Sequence, residues 1–316
     1  MQKLGTLFLF IFISTNIESQ TIEISGQIIN ANDNEPLPFA NIMVKNHHLG
    51  TTSDENGYFK IVPGDSLIKD SLLISYIGFT SRHICINSQI SGPIKLVPYN
   101  IAINEVIVKP QLKSNKIDNF IENEFKQNDC SVRYSPQDNP EGLWIPYRPM
   151  EPTVEALYFP SKNDETNPYQ IKEVWLAVTN YKDKPSNFSL HLYYANESHL
   201  PEKDLLNESI IVEVKNKRDL IKLNLEKYNL KMPSNGVIVG FELLILDNNK
   251  IVSQDKSGRE YELYSPYLNF TIEKEEQSFL LYTKGEWIQT IQKIPHFTKK
   301  NTFLYYKPAI SLVLQN

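Results

Sequence analysis

The sequence predicts an all-β protein: two β-sandwich domains joined by a linker that carries one short helix. Three observations lead there. Strand-forming residues recur throughout, with 17 Tyr and 15 Phe against 12 Gly in 316 residues, a composition that favours strands. Short runs alternate apolar with polar residues, the period of a half-buried strand. Clusters of Asn, Asp, Pro and Gly separate the runs at roughly 8–12-residue spacing, as in a sandwich.

The length admits two modest domains with real cores. Hydrophobic residues at 41% and charged residues at 22% are those of an ordinary globular protein. A formal net charge of -5 offers no basic field to nucleic acid, so that class of partner is excluded.

Residues 1–20, MQKLGTLFLFIFISTNIESQ, place one Lys before an apolar run from Leu7 to Ile13, followed by small and polar residues. This is the pattern of a secretory signal peptide cut near Ser19 or Gln20. The apolar run is shorter than the ~20 residues that span a bilayer. No Cys follows it to take a lipid, and no later segment is apolar enough to cross a membrane. The expected location is the periplasm, the cell surface or the medium.

Residues 21–109 read as the first sandwich. TIEISGQII, FANIMVKN, GYFKIV, SLLISYIGF, RHICI and PIKLV are its strands, with EVIVKP at 105–110 as a last one. Turn signals lie between them at 32–34, 54–57, 63–65 and 91–93. Residues 110–155 form the linker. Within it Ile117, Phe120, Ile121 and Phe125 fall at i, i+3, i+4 and i+8, one face of a short helix. A Pro-rich extended stretch holding Trp144 follows. Residues 156–316 return to strand composition in IKEVWLAVTN, FSLHLYYA, SIIVEVK, LIKLNL, GVIVGFELLIL, SFLLYTK and AISLVLQN. Asn235-Gly236, residues 247–249 and Lys284-Gly285 are expected as hairpin-type turns. The second sandwich is expected to be jelly-roll-like or Ig-like.

Four groups of residues are candidates for chemistry. Asp54-Glu55-Asn56-Gly57 resembles half of a calcium loop, but no distal acid completes it, so the segment reads as a tight turn. His47-His48 point to opposite faces if on a strand and lack partners at ligand spacing; they read as a loop tip. His199 and Glu202 form an H-x-x-E pair, with His296 downstream, as in a zinc peptidase. Pro201 stiffens the pair, and the helix-rich catalytic domain of such an enzyme is missing. No nucleophile elbow, phosphate loop or H-E-x-x-H motif occurs. We expect no catalytic, cofactor-binding or metal-ligating residue, and both Cys85 and Cys130 free. The fourth group is aromatic. Trp175, Tyr193, Tyr194, Trp287, Tyr305 and Tyr306 lie on strands of the second sandwich. Cross-strand packing accounts for some of them, and any that face outward make a binding face for a protein or a sugar.

Five blocks in order carry a resemblance: Gly26-Gln-Ile28, Glu35 to Val44 (EPLPFANIMV), Gly50 to Phe59 (GTTSDENGYF), Ser75-Tyr-Ile-Gly-Phe79 and Glu105-Val-Ile-Val108. Together they resemble the carboxypeptidase regulatory-like domain, a transthyretin-like sandwich of exported Bacteroidetes-type proteins. The resemblance implies a non-catalytic accessory or interaction module. In that family the domain often precedes the plug and barrel of TonB-dependent outer-membrane transporters. This chain is too short for the roughly 20 strands of such a barrel. Phe39 stands where the family more often has Gly, which implies a change in the local turn. Residues 204–208, 225–228 and 239–242 resemble exported bacterial proteins that pair this domain with one further sandwich. The function expected is a non-catalytic envelope protein binding a protein or glycan partner, with a carbohydrate-binding module and a zinc hydrolase as alternatives.

Overall fold

A computed structural model describes residues 23–86, 92–99, 119–132, 150–162, 168–254, 257–295 and 302–316. The signal peptide, the strand expected at 105–110, Trp144, Ile117 and His296 lie outside these residues. The described residues are all-β, with short 3-10 turns and no longer helix. Among them no helix is long and apolar enough to cross a membrane.

The first sandwich holds β1 (Ile24–Asn30), β2 (Asn41–Val44), β3 (Gly50–Thr52), β4 (Tyr58–Ile61), β5 (Ser71–Ser75), β6 (Phe79–Thr80), β7 (Arg82–Cys85) and β8 (Ile94–Pro98). One sheet runs β4-β1-β8-β6 and the other β3-β2-β5-β7. Pairing is antiparallel except for β1 with β8, which is parallel. Ile28, Phe59 and Ile94 from one sheet meet Ile42, Val44, Leu72 and Ile74 from the other in a common core.

β2 and β5 do not alternate in burial: Ile42, Met43, Val44, Leu72, Leu73 and Ile74 are all buried. A strand buried on both faces reads as a continuous apolar run. The inner face fills the first core. The outer face, with Asn41, Met43 and Leu73, lies against the rest of the chain.

That remainder begins with β9 (Asn119–Glu122), β10 (Ser131–Val132), β11 (Thr153–Phe159) and β12 (Gln170–Thr179). β13 (Ser186–Ala195), β14 (Pro201–Asp204), β15 (Ile210–Val214), β16 (Arg218–Asn224) and β17 (Val237–Leu243) follow. The last are β18 (Lys250–Gln254), β19 (Glu260–Tyr264), β20 (Tyr267–Glu273), β21 (Phe279–Thr283), β22 (Glu286–Thr290), β23 (Lys293–Pro295), β24 (Phe303–Pro308) and β25 (Ile310–Gln315). A seven-stranded sheet runs β14-β13-β17-β11-β21-β22, with β15 on β13. An eight-stranded sheet runs β23-β24-β20-β12-β25-β9, with β10 on β20 and β16 on β12. Leu190, Leu192, Val239 and Phe241 from the first of these pack with Val174, Leu176, Leu312 and Leu314 from the second.

One expectation is corrected. Within the helix expected from Ile117 to Phe125, residues Asn119–Glu122 instead form strand β9, antiparallel to β25, with Ile121 opposite Val313. Phe120 packs against the second core. The apolar spacing that mimics a helix face is outweighed by a free strand edge on β25, which offers backbone partners that a short isolated helix lacks.

Turn chemistry follows the backbone demands. Lys284 (φ 53) and Gly285 (φ 85) close the β21–β22 hairpin, the two-residue turn with positive φ at both positions. Residues 247–249, expected as a hairpin turn, form a 3-10 turn whose buried Asn249 ties β13 to the chain through Asn187. Phe39 adopts φ 62, a conformation that glycine takes without strain and a bulky side chain takes at a cost.

Candidate functional site

Alternation along β13 and β17 builds the site. Phe188, Leu190 and Leu192 point into the second core, so His191 and Tyr193 point out of the other face. Val239 and Phe241 point inward, so Glu242 points out beside them. β14 ends at Asp204, opposite Tyr193. Three neighbouring strands thereby place Asp204, His191 and Glu242 on one patch, and the outer face of β2 and β5 covers it. Gly240 stands opposite His191. A Cβ there would meet Val154 Cγ1 at 2.7 Å, so only glycine leaves the room this packing needs.

His191 is 7% exposed and lies between two buried acids. Its Nε2 is 2.7 Å from Glu242 Oε2, and its Nδ1 is 3.9 Å from Asp204 Oδ1. Burial alone pushes the imidazole pKa down. The charges of Glu242 and Asp204 outweigh burial and raise it to about 10, so the ring is an imidazolium at neutral pH.

The other oxygens of these acids are taken by the first sandwich. Asn41 Nδ2 donates to Glu242 Oε1. Asp204 Oδ2 accepts from the Gly78 N–H at 3.2 Å and from the Tyr99 hydroxyl at 2.6 Å. Burial, then the bond to Asp204, raises the Tyr99 pKa. A third buried acid, Glu151, accepts from His48 Nδ1 at 2.8 Å, from the Thr283 hydroxyl at 2.6 Å and from the Lys284 N–H at 3.0 Å. Backbone contacts run beside them. The Gly50 N–H donates to the Met150 carbonyl at 2.9 Å, and the Ile245 N–H donates to Thr52 Oγ1 at 3.0 Å.

This geometry is that of a clasp. A histidine that activates a nucleophile keeps one ring nitrogen for the hydroxyl or thiol; both nitrogens of His191 face carboxylates. The acids surround the imidazolium instead of converging on one point where an ion would sit. Among the described residues no group of three or more His, Cys, Asp or Glu is arranged to hold a metal.

His47 and His48 part company: His47 Nε2 lies 3.2 Å from Asp70, while His48 reaches Glu151 across the seam. His48 stays exposed in the turn between β2 and β3 and also makes a contact across the seam. Asp54 caps its own turn, accepting from the Asn56 and Tyr58 N–H groups at 2.8 and 2.9 Å, and Gly57 sits at φ 76. That segment is turn chemistry.

The peptidase-like pair is not assembled. His199, at φ 60, stacks on Tyr158 at 4.3 Å between centroids. Glu202 lines a different cavity, beside Asp204.

The six aromatic candidates divide. Tyr193 stacks on His191 at 5.3 Å and meets Trp287 edge-on at 5.5 Å. With Tyr282 these rings cover a small apolar cluster of Val154, Ala156, Ile238 and Leu280 on the outer face of the seven-stranded sheet. Tyr194 is half-buried under the Lys203 ammonium, 4.8 Å from its ring. Trp175 lies on the other sheet with the Lys222 ammonium 3.6 Å over it and its Nε1 donating to Glu173. Tyr305 is half-buried on β24. Tyr306 is buried and packs edge-on to Phe270 at 5.9 Å, so it belongs to the core and is corrected as a binding-face candidate. Only Tyr193 and Trp287 share a site.

Sequence reading missed His191, Asp204 and Glu242. Their signals were a lone His in FSLHLYYA and a lone Glu in the otherwise apolar VIVGFELLIL, both of which look like ordinary outward positions of a strand.

Residues 24–108 match the CarboxypepD_reg-like domain family. Over 109 residues the chain is 31% identical to TonB-dependent receptor P3 of Formosa agariphila, a stretch that covers 34% of this chain and 11% of the receptor. The chain therefore spans about a tenth of that relative's length. No solved structure matches the chain. Residues 24–108 thus resemble the CarboxypepD_reg-like domain, and the chain is similar over 109 residues to part of a TonB-dependent receptor.

Proposed function

We propose that the chain is a non-catalytic, exported protein of the cell envelope, whose regulatory-like domain braces a second sandwich and whose work is to bind a protein or glycan partner. The observation that carries this reading is the seam itself. Glu242, Asp204 and Glu151 each accept a hydrogen bond from the first sandwich, so these acids serve docking and not proton transfer. The likeness to part of a TonB-dependent receptor supports a place at the envelope, and the N-terminal segment has the form of an export signal.

The test is metal and activity together. The purified mature chain should carry no stoichiometric zinc and should hydrolyse neither peptides nor glycosides. Stoichiometric zinc that disappears in His199→Ala would overturn the reading in favour of a hydrolase. Recovery of the chain from the periplasm or surface, cut near Ser19 or Gln20, would support export; retention of residues 1–20 in a cytoplasmic product would refute it.

A further inference from the structure

We propose that the free edge of β4, in the groove between the first sandwich and the β18–β19 hairpin, binds an extended segment of a partner protein that carries Lys or Arg side chains. This deepens the reading above, on which it rests, by giving the partner a chemistry and a place on the surface.

β4 ends its sheet, with β1 on one side and, among the described residues, no strand on the other. The Gly57 carbonyl accepts from the Ile28 N–H at 2.9 Å and so faces β1. The Tyr58 N–H donates to Asp54 Oδ1 at 2.9 Å, and the Tyr58 carbonyl accepts from the Asp54 N–H at 2.8 Å, so the Tyr58 backbone faces away from β1. Facing alternates along an antiparallel strand. The Lys60 N–H and carbonyl therefore point away from β1 as well. Val62, kept extended by the proline that follows it, continues this edge. Among the described residues no backbone group pairs with either on that side. Such an edge is a template for one more strand, and strand addition is a recurring mode of peptide recognition.

The edge opens on a groove of about 760 Å³, inside the range of ligand sites. Tyr58 and Val62 line it and are 55% and 46% exposed, an apolar strip for alternate side chains of an added strand. The charged residues that line it are Asp54, Glu55, Lys60, Asp247, Lys250 and Glu262. Both cations are already paired: Lys60 with Glu23 at 2.7 Å, and Lys250 with Glu262. Asp54 uses one oxygen to cap its own turn. Glu55 and Asp247 hold no ion pair among the described residues. Three carboxylates without a counter-ion thus line the groove, two from the first sandwich and one from the second. Cationic side chains match them, and an acidic segment is repelled. A second copy of this chain would bring the same acids to the same edge, so the complementary occupant is a basic segment of another protein.

The experiment uses the full mature chain and two capped probe peptides, Thr-Lys-Val-Lys-Val-Lys-Thr and its counterpart with Glu in place of each Lys, read by calorimetry and hydrogen exchange. The basic peptide should bind in the micromolar to millimolar range, more weakly as salt rises from about 50 mM to about 500 mM, and the acidic one should not bind. Exchange across residues 58–62 should slow when the basic peptide is present. Lys60→Pro, which removes the edge N–H, should abolish binding. The double variant Glu55→Gln with Asp247→Asn should weaken it roughly fivefold, the worth of two exposed charge pairs, with the melting temperature unchanged. If Lys60→Pro misfolds, the basic peptide methylated on alternate amides tests the same bonds and should fail to bind. Equal binding of the two peptides would overturn the proposal, as would no binding of either, or binding that the double variant leaves unchanged. A dimer of the native chain that Lys60→Pro dissolves would give the edge to a second copy and overturn it too. None of these outcomes touches the zinc and activity assay, so the two readings fail separately.

Discussion

Asn41 and His191, one from each sandwich, meet on a single carboxylate: the Asn41 amide donates to Glu242 Oε1, and His191 Nε2 lies 2.7 Å from Oε2. Glu242 is buried, so the pairing is made away from water, where an unmatched charge is costly.

Glu242→Ala should therefore cost about 3–5 kcal/mol, because it strands a buried imidazolium and a buried amide together. Urea unfolding measures it. Glu242→Gln, which keeps the shape and an acceptor oxygen, should cost less. Equal costs for the two would mean that the charge on Glu242 contributes nothing.

Stability should fall at alkaline pH through His191. Its folded-state pKa is raised to about 10, against an unfolded value of about 6.5. A raised value means that the contribution is fully present below the unfolded pKa and is lost as pH climbs toward the folded one. The urea midpoint of the native protein should decline between about pH 7 and pH 10, and that of His191→Gln should be flatter across the same interval. The neighbouring Tyr193, Tyr282 and Tyr99 also have raised pKa values. They add a further decline only above about pH 10, where unfolded phenols ionise. An identical profile in the two proteins would remove His191 from the account.

Gly50→Ala should loosen the seam. An added Cβ would stand 2.7 Å from Pro152 Cδ and 2.8 Å from the Ile42 carbonyl, and neither can swing aside as a flexible side chain would. Overpacking of this kind costs about 1–3 kcal/mol. Limited proteolysis near residues 150–152 should accelerate in the variant relative to Gly64→Ala, whose Cβ meets nothing within 4 Å.

The two cysteines should titrate as two classes. Cys85 is exposed and Cys130 buried, both as free thiols. Burial, then the charge of Asp129, pushes the Cys130 thiol up to about 11, and a protonated thiol is a poor nucleophile. A disulfide-exchange reagent at about pH 8 should modify one thiol quickly and the second only after denaturation. Two fast thiols would contradict the packing of Cys130 against Ala177 and Ala309.

Local patterns made much of the fold readable. β1, β2, β4, β5, β7 and β8 announce themselves by β-branched runs between turn residues, as do β12, β13, β17, β21 and β25. Short edge elements such as β9 and β23 do not, because a few residues hold too little periodicity to separate strand from helix. The partner that makes β9 a strand is β25, far along the chain. The site was harder still. Asp204, His191 and Glu242 are brought together by strand order, and their burial is imposed by the docking of the first sandwich, which no pattern in their own strands announces. The readable trace was indirect: SLLIS and NIMV fail to alternate, which marks strands covered on both sides.

The pairing of β9 with β25 also sets a timetable. Asn119 and Gln315 hydrogen-bond across 196 residues, so the early strand has no edge to join until the late one has been made. At roughly 5–20 residues per second a ribosome needs on the order of 10–40 s to cover that interval. The first sandwich, complete in its own pairings by residue 98, can close long before. During that interval the outer faces of β2 and β5 lie uncovered. A nascent chain of this protein therefore displays the apolar Met43 and Leu73 to its surroundings until the seven-stranded sheet forms, and a holding chaperone would find its target there.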